Sequence, residues 1–330
     1  MEVRGWIAAV VLWAWVFPSL GSGGGALRVP ESGCYTGVFP GHRTVFAVER
    51  EVEKHMAFVL SFTDRWGPLY RFPKEYCEVL WETGHLPVIT WQPQVDLESV
   101  IAGEWDAYIL DWASLAREYG YPVMIRFGHE MNGNWYPWCG RHNGGGETSG
   151  YGDPTRPDGP ERYVDAFRRV HSLFDRAGAH NVIWVWSPNE GNPLGEAWNE
   201  VESYYPGDAF VDWLGMDGYN WGSSRPWSRW RNFDEVFGDL YRRLTALAPD
   251  KPIMIAEFAS SEEGGDKAHW ISEAFRRINE SFPQIKAFIW FDIFKETDWA
   301  IGSSPESLAS FRQAMRNPYY LEEVKLEEDP

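Results

Sequence analysis

Carboxylate, amide and aromatic side chains follow several apolar runs of this sequence. The stretch "VMIRFGHEMNGNWYPW" contains His129, Glu130, Trp135 and Trp138, and a second acid, Glu257, lies in "IMIAEFAS". Two carboxyl groups in a pocket walled by aromatic rings can hydrolyse a glycosidic bond, because one protonates the leaving oxygen and the other meets the positive charge at the anomeric carbon. The sequence therefore predicts Glu130 and Glu257 as catalytic residues.

The two acids should differ in protonation. Aromatic rings and a second carboxylate near Glu130 would raise its pKa and keep it protonated near neutral pH, as a general acid requires. Glu257 would then be the ionised partner. An isolated glutamate at a strand end is more often a salt-bridge partner, so the prediction depends on the two residues occurring in compatible positions.

Other chemistries fit the sequence less well. Glu190 in "WSPNEG" is a rival acid, because Asn-Glu ends the fourth strand of many barrel glycosidases, but it follows the fifth apolar run and we interpret it as a loop-fixing or distal-subsite residue. "HEMNG" lacks the second histidine of a zinc peptidase helix. The predicted chemistry needs no cofactor, and the spacing of acidic and histidine residues indicates no metal cluster, although a structural calcium stays open.

Eight apolar runs must position these residues, and they are nearly continuous, as strands buried on both faces are. They span 34–39, 56–62, 86–92, 122–129, 181–187, 211–219, 251–258 and 286–293. Amphipathic patterns lie between them, most clearly over 161–177. The alternation predicts a (β/α)₈ TIM barrel forming a single catalytic domain over 27–330. A doubly wound open sheet is the alternative, disfavoured because no glycine-rich phosphate turn follows an early strand.

In such a barrel the site lies at the carboxyl ends of the strands. The fourth and seventh strands lie on roughly opposite sides, so Glu130 and Glu257 can meet over the barrel axis. Trp91 ends the third run and is a candidate for substrate binding. Trp135 and Trp138 follow the fourth run among Asn and Gly, which favours a pocket over a core position.

Composition limits the class of molecule that the protein can bind. The formal net charge is -18, from 48 acidic and 30 basic side chains, which disfavours nucleic acid. The 20 Trp, 15 Tyr and 19 Phe residues suit stacking on sugar faces, although core packing explains most of them. A polysaccharide or oligosaccharide is the expected partner.

The N-terminus, residues 1–26, has a basic residue, an apolar stretch and then small residues, which is typical of an export signal. The sequence therefore predicts a secreted protein without stable membrane insertion. A retained N-terminal anchor is the alternative, disfavoured because the stretch is shorter than the roughly 20 apolar residues of a spanning helix. Cys34, Cys77 and Cys139 allow at most one disulfide.

The segments "RFGHEMNGNWYPW", "WVWSPN", "YPGDAFVDWLGMDGYNW" and "KPIMIAEFAS" resemble glycoside hydrolase family 26. The resemblance covers nearly the whole chain after the signal, and it implies a (β/α)₈ barrel with Glu130 as acid/base and Glu257 as nucleophile. It also implies that His129 and Trp135 shape the sugar site. Tyr219 would hold the nucleophile.

By the same resemblance, Trp290 would form a floor under the sugar at the cleavage point. The family contains β-1,4-mannanases, mixed-linkage β-glucanases and xylan-active enzymes. We therefore expect a retaining, endo-acting enzyme for β-1,4-mannan-type plant polysaccharide, with β-1,3-1,4-glucan or xylan as alternatives. A non-catalytic carbohydrate-binding barrel is disfavoured because both carboxyl groups are present. The glycine-rich insert over 139–159 is expected to cover one end of the cleft.

Overall fold

The computed structural model describes residues 25–327 and contains a closed parallel barrel. Its strands are β1 (Cys34–Tyr35), β2 (Gly37–Phe39), β3 (Phe58–Thr63), β4 (Leu86–Trp91), β5 (Val123–Phe127), β6 (Val182–Trp186), β7 (Trp213–Asn220), β8 (Ile253–Ser260), β9 (Ile285–Phe291) and β10 (Tyr320–Leu321). Strands β2 to β9 form the barrel, which closes where β9 pairs with β2. The predicted (β/α)₈ fold is confirmed, and the fourth and seventh barrel strands are β5 and β8.

The helices surround the barrel. They are α1 (Val45–Val52), α2 (Lys74–Glu82), α3 (Leu97–Ala102), α4 (Asp106–Tyr119), α5 (Asp158–Arg176), α6 (Phe233–Leu247), α7 (Lys267–Ser281) and α8 (Pro305–Met315). The regular alternation fails between β6 and β7, where short 3₁₀ turns at Ala197–Asn199 and Val201–Tyr204 replace an α-helix. Two glycines and two prolines in the segment 191–206 explain this, because both residue types disfavour helix.

Side chains alternate between the barrel interior and the layer under the helices, as in any strand. On β9, Ile289 packs in the interior core, whereas Trp290 packs in the outer core with residues of the helices. One irregularity changes this pattern in β8, whose pairing with β7 shifts by one residue after Met216. This bulge lets Ala256 and the next residue, Glu257, both face inward, and bulges often re-aim side chains beside active sites.

The predicted export signal, residues 1–26, lies almost entirely outside the described residues. None of the helices between residues 25 and 327 is long and apolar enough to cross a lipid bilayer. Cys34, Cys77 and Cys139 are buried free thiols, so no disulfide forms among them.

Candidate active site

A cleft of about 700 Å³ opens at the carboxyl ends of the barrel strands. Glu130 and Glu257 both line it, so the structure brings the two predicted catalytic residues together. Most of its wall is aromatic and consists of Trp135, Tyr136, Tyr219, Trp221, Trp227, Phe291 and Trp299. Such rings can stack on the C–H faces of sugars.

Glu257 is surrounded by hydrogen-bond donors. Its Oε1 accepts from the guanidinium of Arg126, and its Oε2 accepts from the hydroxyl of Tyr219 at 2.6 Å. The carboxylate is almost buried, so an ionised form requires these donors. The arrangement fixes the side chain and supports its negative charge.

Arg126 lies at the centre of this cluster and is completely buried. Its guanidinium donates to Asp217 at 2.7 Å and to Thr90 at 2.8 and 3.0 Å, and Ser187 donates to Asp217 at 2.8 Å. Burial alone would lower the pKa of Arg126, but Asp217 and Glu257 raise it. One fixed cation therefore faces several carboxyl groups, and the charges of Arg126 and Lys295 do not outweigh the effects that raise the pKa of Glu130.

Glu130 lies just after β5 in a strained conformation, with φ of 53°, which non-glycine residues rarely adopt. Its backbone N–H donates to the carbonyl oxygen of Ser187 at 2.8 Å, and its Oε2 accepts from the indole of Trp135 at 2.8 Å. Burial and the nearby charge of Glu257 raise the pKa of Glu130 to about 8. The side chain is therefore protonated at neutral pH, as a general acid must be.

The family model described as "Glycosyl hydrolase family 26" matches residues 85–299 of this chain, a range that contains both carboxyl groups. The chain belongs to this family. It is a glycoside hydrolase, and the family predicted from its motifs is confirmed.

Among curated proteins, this family 26 enzyme is similar to endoglucanase H of Acetivibrio thermocellus, with 35% identity over 311 residues, or 94% of this chain and 32% of that protein. It is also 31% identical to mannan endo-1,4-beta-mannosidase A and B of Caldalkalibacillus mannanilyticus over 175 residues, 52% of this chain and 28% of that protein. The chain thus spans about a third of the length of these relatives.

Solved structures share the fold of this family 26 enzyme. The YdhT protein from Bacillus subtilis has a TM-score of 0.63 at 17% identity, covering 89% of this chain and 87% of that one. The Bacillus subtilis mannanase man26 has a TM-score of 0.62 at 16% identity, covering 88% and 87%. At such low identity the likeness supports the barrel architecture alone.

Of the predicted sugar-binding residues, Trp135 and Tyr219 line the cleft of this family 26 enzyme. His129 is buried beneath it, with Nε2 at 3.8 Å from Oε1 of Glu257. Burial and the charge of Arg126 hold the pKa of His129 well below its usual value, so the imidazole is neutral. His129 therefore faces the carboxylate of Glu257 from below and does not form part of the cleft wall.

Trp138 was expected in the pocket, and the structure places it elsewhere. It is completely buried, stacks on Tyr136 at 4.3 Å between ring centroids, and donates from its indole nitrogen to the carbonyl oxygen of His129 at 2.7 Å. Tyr136 is the ring that reaches the cleft. Trp138 supports this ring from behind because the chain turns back into the core after residue 137, which is exposed.

Trp91 and Trp290 also lie outside the cleft, contrary to their predicted roles. Both are completely buried in the layer between strands and helices, where Trp91 stacks on Trp112 of α4 at 4.3 Å and Trp290 contacts Phe258 at 4.9 Å. The reason is strand alternation, because these side chains point away from the barrel axis. On β9 the next residue, Phe291, faces the cleft.

Trp299 supplies an indole to the cleft wall near Tyr219, with 4.9 Å between the ring centroids. The loop that carries Trp299 is held by Lys267, whose buried ammonium donates to the carbonyl oxygens of Asp298 and Ala300 at 3.2 and 2.7 Å. The indole nitrogen of Trp290 donates to the carbonyl oxygen of Trp299 at 2.9 Å. Trp290 thus contributes to the cleft through this loop.

Glu190, the rival acid, lines the cleft but is paired with Arg231 at 2.6 Å. A partner of that kind supports a carboxylate, not a general acid.

The insert over 139–159 was expected above the cleft, but none of its residues lines the cleft. The insert packs on α3 and α5, where Asn143 accepts from the backbone of Leu97 at 3.2 Å and Asp158 accepts from Gly150 at 2.9 Å.

Sequence reasoning assigned no role to Arg126, Asp217 and Tyr136, although Asp217 is among the polar residues that end the sixth apolar run. The position of Arg126 in the sequence could have indicated its role. It is a charged residue within the apolar run "VMIRF", and a buried arginine needs acidic partners. Asp217 and Tyr136 stood among other polar and aromatic residues without a distinguishing spacing.

Proposed function

We propose that this enzyme cleaves internal β-glycosidic bonds of a plant polysaccharide with retention of configuration. The observation that carries the proposal is the pair of carboxyl groups in one aromatic cleft, with donors around Glu257 and a raised pKa at Glu130. Retaining glycosidases need this combination of an ionised nucleophile and a protonated acid.

In the first step Glu257 attacks the anomeric carbon while Glu130 protonates the departing glycosidic oxygen. Arg126 and Tyr219 orient the attacking carboxylate, because each donates a hydrogen bond to one of its two oxygens. In the second step Glu130, now ionised, takes a proton from water, and the resulting hydroxide equivalent releases the sugar from Glu257. The chemistry uses this chain's own side chains throughout.

The anomeric configuration of the first product tests the mechanism. Proton NMR during the hydrolysis of a β-linked oligosaccharide should show the β-anomer first, with the α-anomer appearing later by mutarotation. Initial formation of the α-anomer would overturn double displacement. A Glu257→Ala variant given azide should form an α-glycosyl azide, since the small anion enters the space that the carboxylate vacates.

The substrate class is proposed from the relatives. Endoglucanase H aligns over 94% of this chain, whereas the mannosidase of Caldalkalibacillus mannanilyticus aligns over 52% at lower identity. We therefore place β-glucan first and keep β-1,4-mannan, the class expected from the sequence, as the second candidate. A β-1,3-xylanase of Alcaligenes is more distant, with 22% identity over 216 residues.

Reducing-sugar release from mixed-linkage β-glucan, mannan and xylan, measured side by side, tests this order. The expected result is the highest kcat/KM on β-glucan, with a rapid fall in viscosity that marks internal cleavage. Higher kcat/KM on mannan would reverse the order, and binding without any release would favour the non-catalytic barrel.

Secretion remains a prediction from residues 1–26, and sequencing the N-terminus of exported protein tests it.

A further inference from the structure

Three metal-ligating side chains meet at the end of the barrel opposite the cleft. Glu49 lies on α1, His55 precedes β3 and His85 immediately precedes β4. Their nearest nitrogen and oxygen atoms all lie within 4.8 Å of one another. Oε1 of Glu49 is 2.7 Å from Nδ1 of His55 and 3.0 Å from Nε2 of His85. Both rings therefore direct one nitrogen at the same carboxylate oxygen.

The outer nitrogen of each ring shows where the protons lie. Nε2 of His55 is 3.3 Å from the carbonyl oxygen of Gly84, which can only accept, so this nitrogen must carry the hydrogen. A neutral imidazole carries a single N–H, so Nδ1 of His55 then presents a lone pair to Glu49. Gly84 permits this close approach, because a Cβ there would lie 3.2 Å from the His55 ring.

His85 has a similar arrangement. Its Nδ1 is 2.9 Å from Oγ1 of Thr83, and that hydroxyl is 2.8 Å from the carbonyl oxygen of Val79 in the last turn of α2. The hydroxyl has one hydrogen, and when it donates this to Val79 the His85 Nδ1 must be the donor to Thr83. Nε2 of a neutral His85 then also presents a lone pair to Glu49.

Two lone pairs facing one carboxylate oxygen repel unless a positive charge lies between them. Three states relieve this repulsion: a ring gains a second proton, the Thr83 hydroxyl turns from Val79 to His85 so that Nε2 of His85 donates to Glu49, or a cation is bound. Histidines that bind metals donate their other ring N–H to a carbonyl, hydroxyl or carboxylate, which is the pattern of His55 and His85. Glu49 is suited to the same role, because the backbone N–H of Met56 donates to its Oε1 at 2.8 Å and holds this oxygen between the two rings.

We propose that Glu49, His55 and His85 bind a Zn²⁺ ion that joins α1 to the segments preceding β3 and β4. Two imidazole nitrogens and one carboxylate oxygen are a donor set that zinc prefers, with a water molecule completing four-coordination. Ligand atoms about 2.0–2.2 Å from a tetrahedral zinc ion lie about 3.4 Å from one another, so Nδ1 of His55 must move away from Oε1 of Glu49 by about 0.7 Å and Nε2 of His85 by about 0.4 Å. His55 can move by this amount, because its side chain is one-third exposed.

The role of this zinc ion is structural and independent of the proposed glycosidase function. The site lies at the amino ends of β3 and β4, whereas the cleft lies at the carboxyl ends of the strands. The ion would tie together three chain segments separated by up to 36 positions. The sequence indicated no cluster because these ligands do not share a short motif.

Calorimetric titration of the full chain, stripped with a chelator, tests the proposal with Zn²⁺ alone as the ligand. We expect binding of one ion and a zinc-dependent rise in Tm. His55→Ala and His85→Ala should each weaken binding by more than about 100-fold. His55→Ala is the safer variant because its side chain is partly exposed. Co²⁺ bound at the same site should give visible absorption that Zn²⁺ displaces.

His180→Ala is the matched control, because His180 is an exposed histidine beside Asp175, and its removal should leave zinc affinity and Tm unchanged. Absence of binding by the wild-type chain would overturn the proposal, as would unchanged affinity in both His55→Ala and His85→Ala. A Tm that responds to pH but not to zinc would establish the protonated pair instead. Polysaccharide hydrolysis is measured separately, so either proposal can fail alone.

Discussion

Glu130 at the end of β5 and Glu257 in β8 face the same cleft with different neighbours. Glu257 receives hydrogen bonds from a guanidinium and a phenol, whereas Glu130 receives one from the neutral indole of Trp135. Arg126 extends from β5 itself but turns towards β7 and β8, where it contacts Asp217 and Glu257. The strand that carries the acid therefore supplies its cation to the other carboxylate.

This difference shows how two identical functional groups in one cleft can be stabilised in different protonation states. The distribution of donors, more than burial, distinguishes them, because both side chains are more than nine-tenths buried. A carboxylate with two strong donors is stabilised in its charged form, and one with burial and a negative neighbour is stabilised in its neutral form. Removing either carboxyl group, or one donor at a time, tests this comparison.

Glu257→Ala should produce the largest effect. Loss of the nucleophile removes the covalent step, so we expect kcat/KM on polysaccharide to fall on the order of 10⁵-fold while binding is retained. Hydrolysis and binding are measured on the same polysaccharide. Glu190→Gln is the contrasting variant at another carboxylate of the cleft wall, and its activity should stay within about tenfold. A larger loss for Glu190→Gln than for Glu257→Ala would reassign the nucleophile.

Glu130→Gln should reduce activity on polysaccharide by about 10²–10⁴-fold, the usual contribution of general acid–base catalysis. The loss of glycosylation rate should be much smaller with aryl glycosides whose leaving groups need no protonation. In the wild type, kcat/KM should fall as pH rises through about 8, because Glu130 loses the required proton there. This fall should be absent from the pH profile of Glu130→Gln. If the fall persists in that variant, another group is responsible for it.

Stability gives an independent measure of the same carboxyl group. The folded chain holds the proton of Glu130 up to about pH 8, whereas the unfolded chain releases it near 4.5, so the contribution of this group to stability falls as pH rises between these values. Glu130→Gln should therefore have a Tm higher than wild type at pH 7, by about 2–4 °C for each 1 kcal/mol. The difference should vanish below pH 4.5.

Tyr219→Phe removes one donor from Glu257 and leaves the ring in the cleft wall. A hydrogen bond to a charged group contributes about 1.5–3 kcal/mol, so we expect a loss of roughly 10- to 100-fold in kcat/KM. Steady-state kinetics and trapping of the glycosyl enzyme measure this effect. Unchanged rates would mean that Arg126 alone supports the nucleophile.

The sequence predicted the barrel and the carboxyl pair because both depend on local patterns. Continuous apolar runs mark the strands, and residues that end such runs lie at one end of the barrel. It could not predict which face of a strand a given residue occupies near its end. Trp290 and Phe291 are adjacent aromatics, and only the register of β9 decides that Phe291 faces the cleft.

The buried cluster around Arg126 was also beyond prediction, because its members come from four different strands. Arg126 lies on β5, and its partners Thr90, Asp217 and Glu257 lie on β4, β7 and β8, with no short motif that connects them. The inward position of Glu257 depends in addition on the bulge in β8, which has no obvious signal in "IMIAEFAS". Long-range pairing and bulges are tertiary features that local patterns do not encode.

Trp135→Phe should have the smallest effect on activity. The direction in which it shifts the pH profile of kcat/KM tests the comparison most directly. The indole N–H of Trp135 donates to Oε2 of Glu130 at 2.8 Å and lowers the pKa that burial and Glu257 raise. Phenylalanine lacks this donor, so the pKa of Glu130 should rise further, by up to about one unit for a bond of about 1 kcal/mol. The upper limb of the pH profile of kcat/KM should move to higher pH, while activity at neutral pH stays within about tenfold.

Trp227→Phe is the control, because it alters a ring packed on Trp221 in the same wall, and it should leave the upper limb of the pH profile in place. A downward shift in Trp135→Phe would contradict the comparison, because removing a donor from one carboxyl group would then favour its charged form.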